Sequence, residues 1–470
     1  MWRKWSRELA LAILSRIPFE RAMRQSRRGA LAAFRRTAGR VPAYQQLLGE
    51  AGIDPRDIRG YDDFLRLPLL DKHNTFERFP LHELCLPGQM EQLASVLTSS
   101  GQSGRFAFGL TTRRQARRST WMIDLGLEAT FQTDRRRTLL LNALPMGVGF
   151  ASDAVTIAET SVREDMVLAL ADRFGPYFEQ IVLVTDPLFL KLLCDTSRDR
   201  GFDWRRFRVN VVLGEETFGE HYRTYVGRIL GTDPDARDGP LIGASLGVAE
   251  LGLNLFFETR ETIALRRAAW RDAGLRRRLF GPLRPEQTPM LYAYSPQALH
   301  VEVLPAGGGG GNFGRLALSP LGAGQPLPLL RYLTGDLARF YPPAEVADFI
   351  RELGFRDCGW RLPIVAVLGR DQDELPGGTN ISELKDCFYR DTDLADHLTG
   401  AFRIWIEPDG GFALHIQLRP GVPKARIDLE QLRAALPEPL LSPEARLTPW
   451  QYETFPFGMR LDYERKFRYF

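Results

Sequence analysis

Residues 181–190 read IVLVTDPLFL. Ile181 to Thr185 is a short apolar, β-branched run of the kind a buried strand requires, and Asp186-Pro187 opens a helix with a cap residue and a proline in their preferred places. Neighbouring stretches repeat the theme. TLLLNAL (138–144) reads as a buried strand ahead of the apolar-periodic MVLALADRF; VNVVL (209–213) precedes another helix. The short PLIG (240–243) precedes VAELGLNLFFE, which reads as a helix as well. Short β-rich runs alternating with helices predict a parallel α/β sheet, whose ligands sit in the loops at the carboxyl ends of the strands.

Outward from this core the pattern changes on both sides. Residues 1–60 read as helical, broken at Pro18 and Pro42 and ending in the turn-rich GIDPRDIRG. From about residue 290 strand pairs take over: HVEVLP and FGRLALSP flank Gly307–Gly311. That glycine run lies between two strands rather than before a helix, so it reads as a hairpin turn and not as a phosphate loop. After Gly369-Arg370 a smaller α+β segment begins, with a hairpin in AFRIWIEPDGGFALHIQL and a short helix in IDLEQLRAAL. The expected architecture is an α/β protein: a large N-terminal α/β domain (1–369) with parallel sheets and a β-rich part, and a small α+β C-terminal domain (370–470).

Composition narrows the function classes. With 470 residues, 44% hydrophobic and 26% charged, the chain has ample core for a globular protein and is neither disordered nor fibrous. Of 62 basic residues only six are lysines (4, 72, 191, 385, 424 and 466), so any chemistry that needs a lysine has few candidates. Residues 1–40 carry a net charge of +9 and the remainder −5, a distribution that disfavours a general nucleic-acid binder. The basic N-terminus fits weak contact with an acidic membrane surface or RNA, with a solvated amphipathic helix as the plainer reading. Cys85, Cys194, Cys358 and Cys387 form no CxxC pair, so neither a zinc ribbon nor a dense disulfide framework is indicated. Leu9–Leu14 is too short to span a bilayer and lacks a cleavage pattern, and a cytoplasmic location is expected.

The first candidate site is Thr98-Ser99-Ser100-Gly101-Gln102-Ser103-Gly104, directly after the apolar ASVL. Small hydroxyl residues and glycines present backbone N–H and O–H donors without bulk, as wrapping a triphosphate demands, although a plain flexible loop has the same composition. It is not a Walker A sequence. Gly214-Glu215-Glu216 ends one predicted strand, and Gly243-Ala244-Ser245-Leu246-Gly247-Val248-Ala249-Glu250 follows the next. Arg331-Tyr332-Leu333-Thr334-Gly335-Asp336, Gly369-Arg370-Asp371 and Tyr463-Glu464-Arg465-Lys466-Phe467 complete the series. In this order the set resembles the adenylate-forming superfamily of acyl-CoA synthetases, luciferases and peptide-synthetase adenylation domains. Within it, FRRTAGRVPAYQQLL, GIDPRDI, DFLRLPLLDK and CGWRLPIVAVLGR look like the phenylacetate–CoA ligase-like branch.

The resemblance implies ATP-dependent activation of a carboxylic acid to an acyl-adenylate with release of pyrophosphate. Transfer to CoA, a carrier-protein phosphopantetheine thiol or an amine would follow. By the same resemblance, residues 98–104 would hold the β- and γ-phosphates, and Gly214, Glu215 and Ala244–Gly247 would enclose the adenine. Glu250 would hold Mg²⁺, Asp336 would accept the ribose hydroxyls, and Arg370 would lie beside the nucleotide at the hinge. Lys466, on a mobile C-terminal lid, would bridge carboxylate and α-phosphate. Met146, Gly147 and Phe150, within NALPMGVGF, correspond to the acyl pocket and suggest an aromatic or hydrophobic acid.

Departures from the family pattern leave two alternatives open. Arg105 stands where the family has lysine, and Leu246 and Ala249 replace its tyrosine and threonine. A catalytically degenerate relative that only binds nucleotide or acid is one alternative. The other is an α/β-hydrolase: Gly243–Gly247 satisfies G-x-S-x-G, with Ser245 as nucleophile and Asp336 with His397 or His415 completing a triad.

Overall fold

The computed structural model of the chain describes residues 2–99, 106–306, 312–355, 361–370, 373–375, 379–406, 412–437, 446–456, 463 and 467–469. At its N-terminus are three helices, α1 (Trp2–Leu14), α2 (Phe19–Thr37) and α3 (Pro42–Glu50), broken at the two prolines as the sequence predicts. A two-stranded ribbon follows, β1 (Leu93–Thr98) with β2 (Phe108–Thr112).

The fully buried β3 (Thr138–Asn142) and β5 (Gln180–Thr185) lie in the parallel half of the large sheet. β3 pairs with β4 (Thr156–Glu159) on one side and with β5 on the other; β6 (Val209–Leu213) and β7 (Ile242–Val248) continue the parallel series. Helices Glu164–Phe174, Pro187–Asp199 and Glu220–Leu230 make the crossovers. Asp186 caps the second of these, its side chain accepting from the Leu188 and Phe189 amides with Pro187 in the first turn. β4 was not legible in the sequence; it is a four-residue edge strand without a buried apolar run.

One expectation fails here. VAELGLNLFFE is not a helix but the turn and second strand of a hairpin: β7 pairs antiparallel with β8 (Gly252–Phe257), Ser245 opposite Phe257 and Leu246 opposite Phe256. The turn holds Gly252 at φ +140° and the strand carries Asn254 at φ +54°, backbone that no α-helix accepts. Pairing across β7 and burial of Phe256 override the local helical pattern.

From β8 the same sheet runs on, antiparallel, through β9 (Met290–Ala293), β13 (Ile364–Arg370), β12 (Tyr332–Tyr341), β11 (Gly314–Pro320) and β10 (Leu299–Leu304). The parallel and β-rich parts are thus halves of one 11-stranded mixed sheet. β10 and β11 pair antiparallel with Leu304 opposite Arg315, the hairpin expected across the glycine run, whose own residues 307–311 lie outside the described residues.

Residues from Leu375 onward form a second core, in which Leu384, Phe388, Phe402, Leu414, Leu432, Phe467 and Tyr469 are buried together. Its strands are a short pair, β14 (Glu374–Leu375) and β15 (Thr379–Asn380), and the sheet β16 (Leu398–Ile406), β17 (Phe412–Leu418) and β18 (Arg446–Trp450). β16 and β17 form the expected hairpin, and IDLEQLRAAL contains the helix Leu429–Ala435. Ion pairs tie this part to the larger one: Arg284–Glu383 at 2.8 Å, Arg198–Asp396 at 2.6 Å and Arg419–Asp199 at 2.7 Å. Among the described residues no helix is long and apolar enough to cross a membrane.

Candidate active site

One cleft of about 2260 Å³ runs along the carboxyl ends of β5–β7 and across the β1–β2 ribbon, β12 and β13. It exceeds the roughly 300–1,000 Å³ typical of a small-molecule pocket, which leaves room for more than one substrate at once.

The ribbon places the phosphate-loop candidates. Thr98 is the last residue of β1, and Ser99 is pinned at the loop base: its amide donates to the Ala107 carbonyl and its Oγ accepts from the Ala107 amide, both at 2.9 Å. Ser100, Gly101, Gln102, Ser103, Gly104 and Arg105 lie outside the described residues. Gly109, on the returning strand, packs so closely on the chain before Glu250 that a Cβ there would sit 1.9 Å from the Ala249 carbonyl oxygen.

Glu250 is buried at the turn between β7 and β8. The Tyr332 hydroxyl donates to its Oε1 at 2.8 Å, and Lys72 Nζ stands 3.6 Å from the same oxygen. Burial, then the neighbouring Glu250 charge, pushes the Tyr332 phenol far above its ordinary range, so it remains a protonated donor. Leu70 bridges to Tyr332, which brings the PLLDK segment and β12 together beside this carboxylate. A hard dication bound mostly through substrate phosphates and water needs only one or two protein carboxylates. Glu250 fits that requirement.

Gly214 ends the β6 segment, its amide donating to the Thr185 carbonyl at 2.8 Å. Glu215 follows in left-handed backbone at φ +66°, and both residues line the cleft. Glu216, next along, receives Lys385 Nζ at 2.5 Å and the Tyr469 hydroxyl at 3.2 Å. Ala244, Ser245, Leu246 and Gly247 line the cleft from β7. Asp336 on β12 and Arg370 at the end of β13 are register partners on the same wall. Met146, at φ +60°, Gly147 and Phe150 also line the cleft; the Asn142 side-chain amide holds their loop by donating to the Val148 carbonyl at 2.8 Å.

Lys466 lies outside the described residues. Its neighbours in sequence are packed: Tyr463 stands edge-on to Phe189, with ring centroids 5.8 Å apart, and Phe467 is buried in the second core. Sequence reasoning gave no role to Lys72, Tyr332 and Glu216, although each stands in a quoted stretch, and it missed Lys385 as a site residue. Lys72 carried a signal, as one of six lysines and the last residue of a quoted motif; the Glu216–Lys385 pair joins residues 169 apart and had none.

The hydrolase alternative loses its geometry. A nucleophile elbow needs a strained turn from strand into helix, whereas Ser245 lies within β7, is followed by β8, and donates its hydroxyl to Asn254 Oδ1 at 2.8 Å. His415 sits on β17, where it accepts from the Trp450 indole at 2.9 Å.

No family model matches the chain. A phenylacetate–coenzyme A ligase of Thermus thermophilus is 27% identical over 223 residues, 45% of this chain and 48% of that protein. The match spans about half the length of that relative. Among solved structures, 2-hydroxyisobutyryl-CoA ligase in the postadenylation state with 2-HIB-AMP superposes with a TM-score of 0.66, covering 96% of this chain and 89% of that one at 15% identity. The same ligase in its thioesterification state, with 2-HIB-AMP and CoA, gives 0.56 over 93% and 87% at 15% identity. The chain has the fold of the adenylate-forming superfamily and resembles its phenylacetate–CoA ligase-like branch in sequence.

Proposed function

We propose that the protein is an acyl-adenylate-forming ligase. It activates a carboxylic acid with ATP, giving acyl-AMP and pyrophosphate, and passes the acyl group to CoA, to a carrier-protein thiol or to an amine. The observation that carries this reading is convergence: Thr98 and Ser99, Gly214 and Glu215, Ala244–Gly247, Glu250, Asp336 and Arg370 are drawn from distant parts of the chain and line one cleft.

Each residue then has a task its surroundings suit. The hydroxyl-rich loop begun by Thr98 and Ser99 binds the β- and γ-phosphates. Gly214, Glu215 and the Ala244–Gly247 strand enclose the adenine, and Asp336 accepts from the ribose hydroxyls. Glu250, held by Tyr332, would bind Mg²⁺, an ion that when present neutralises charge on the departing pyrophosphate. Arg370 steadies the nucleotide from the end of β13. Lys466 brings its ammonium to carboxylate and α-phosphate as the acyl-adenylate forms. The apolar wall with Met146, Gly147 and Phe150 favours an aromatic or otherwise hydrophobic acid. The separate core after Leu375 supports a division near residue 370 into an ATP- and acid-binding part and a lid. Dependence on ATP fits a cytoplasmic enzyme.

Acid-dependent exchange of labelled pyrophosphate into ATP, run over a panel of aryl and alkyl acids, tests the first half-reaction. Exchange with at least one acid is expected. None with any acid would leave a relative that only binds, the reading suggested by Ala249 in place of a hydroxyl residue.

A further inference from the structure

We infer that α1 is an interfacial helix that seats the protein on an anionic membrane surface. Trp5, Leu9 and Ile13 recur every four residues along it and are 62%, 45% and 53% exposed. Residues at that spacing lie on one side of a helix, so the three form a single apolar stripe about 12 Å long. One exposed apolar side chain on a soluble protein means little, but three on successive turns mark a contact surface.

The stripe cannot roll inward. The opposite face of α1 is fixed by Arg7, which is buried, ion-paired with Asp134, and 3.5 Å from Asp124. Lys4 further anchors the start of the helix by donating to the Asp134 carbonyl at 2.8 Å.

Charge identifies the occupant. Lys4 and Arg16 are exposed at the two ends of the stripe, and only Ser15–Pro18 separate it from α2. On α2 the buried side is Ala22, Ser26, Ala30 and Ala33, while Arg21, Arg24, Arg28 and Arg35 are exposed. An apolar stripe with a single exposed acid, Glu8, joined through a short turn to a helix rich in exposed arginine, is what an acidic bilayer selects: side chains enter the headgroup boundary while guanidinium groups meet lipid phosphates. RNA would use the arginines and leave the stripe without a role. A second copy of the chain would need roughly 800 Å² of contact per partner, whereas three part-exposed side chains offer on the order of a few hundred.

The test is co-sedimentation of the full chain with phosphatidylcholine vesicles, either plain or containing about 25% phosphatidylglycerol. Wild type should pellet with the anionic vesicles and not the neutral ones, with partition falling about tenfold when the salt is raised to about 0.5 M. Trp5→Ser/Leu9→Ser/Ile13→Ser should lose about tenfold in partition onto anionic vesicles. Arg21→Gln/Arg24→Gln/Arg28→Gln, which leaves α1 intact, should lose a similar factor. The inference is overturned if wild type stays in the supernatant with anionic vesicles, or if both triple variants pellet as it does. A wild-type dimer that the first variant dissociates, without any pelleting, would overturn it in favour of self-association. Pelleting is read without turnover, so its failure is separate from failure of the ligase reading.

Discussion

Asp336 and Arg370 are register partners across the β12–β13 ladder, with Arg370 Nε 4.0 Å from Asp336 Oδ1. The pair belongs to backbone pairing rather than to loops, so a carboxylate and a guanidinium are presented to the cleft from a rigid edge. That arrangement makes the ribose contact proposed for Asp336 testable without disturbing the fold. Asp336→Asn keeps size and register but removes the charge that strengthens a hydrogen bond to a hydroxyl. The expected cost is about 1–3 kcal/mol, seen as roughly a tenfold or larger rise in KM for ATP in pyrophosphate exchange, with the melting temperature unchanged. An unaltered KM would remove Asp336 from the nucleotide site.

Tyr332→Phe deletes a donor to the buried Glu250 and leaves the ring in place. With Glu250 in the proposed Mg²⁺-binding role, a buried carboxylate stripped of one partner should bind a Mg²⁺–nucleotide complex less well, by about 1–3 kcal/mol. Titration of Mg²⁺ in the exchange assay should show the requirement moving up while the acid dependence stays constant.

Lys466→Ala is expected to abolish most acyl-AMP formation in the exchange assay, with thermal unfolding followed alongside as the control for folding. Exchange equal to wild type would reject the assignment and turn attention to Lys72, the lysine 3.6 Å from Glu250.

His300 supplies a pH-dependent stability. Its Nδ1 lies 3.0 Å from Ser26 Oγ and its Nε2 2.9 Å from the Tyr61 hydroxyl, joining α2 and the short helix Tyr61–Phe64 to β10. Burial, with the charges of Arg27 and Arg331, lowers its pKa to about 4. The folded state therefore binds fewer protons than the unfolded one between about pH 4 and 6.5, and stability is lost as pH falls through that window. The contribution is roughly 3 kcal/mol when fully expressed. Denaturant titrations of His300→Gln should show a shallower acid limb than wild type over that range.

Glu220 is fully buried, and although burial opposes its charge, Arg223, Arg266 and Arg267 hold its pKa down to about 2. Glu220→Ala would take from the interior the carboxylate that Arg266 pairs with, and would leave Arg223 and Arg267 to Glu258 and Asp235 respectively. A loss of about 3–5 kcal/mol in unfolding free energy is expected, with the variant poorly folded at 37 °C.

The sequence made legible those parts in which local chemistry and tertiary context agree. Asp186-Pro187 caps a helix because the side chain reaches the next two amides wherever the segment is placed. VNVVL and IVLVT are strands because so apolar a run has to be buried on both faces. VAELGLNLFFE failed for the opposite reason: its partner strand and the left-handed Asn254 are facts of tertiary structure that periodicity does not carry. The candidate site divides in the same way. Glu250 and Asp336 stand in recognisable strings, whereas Tyr332 on Glu250 and Lys385 on Glu216 are contacts across 82 and 169 residues.

The absence of a side chain at Gly109 also has a mechanical meaning. Because Gly109 of β2 rests directly on the Ala249 carbonyl, no side chain separates β2 at that residue from the peptide that carries Glu250. The two therefore meet backbone on backbone at this point, with no side chain there whose rotation could absorb a change in spacing. Any methyl group at position 109 would act as a wedge, separating β2 from the peptide that carries Glu250 while leaving the carboxylate chemically intact.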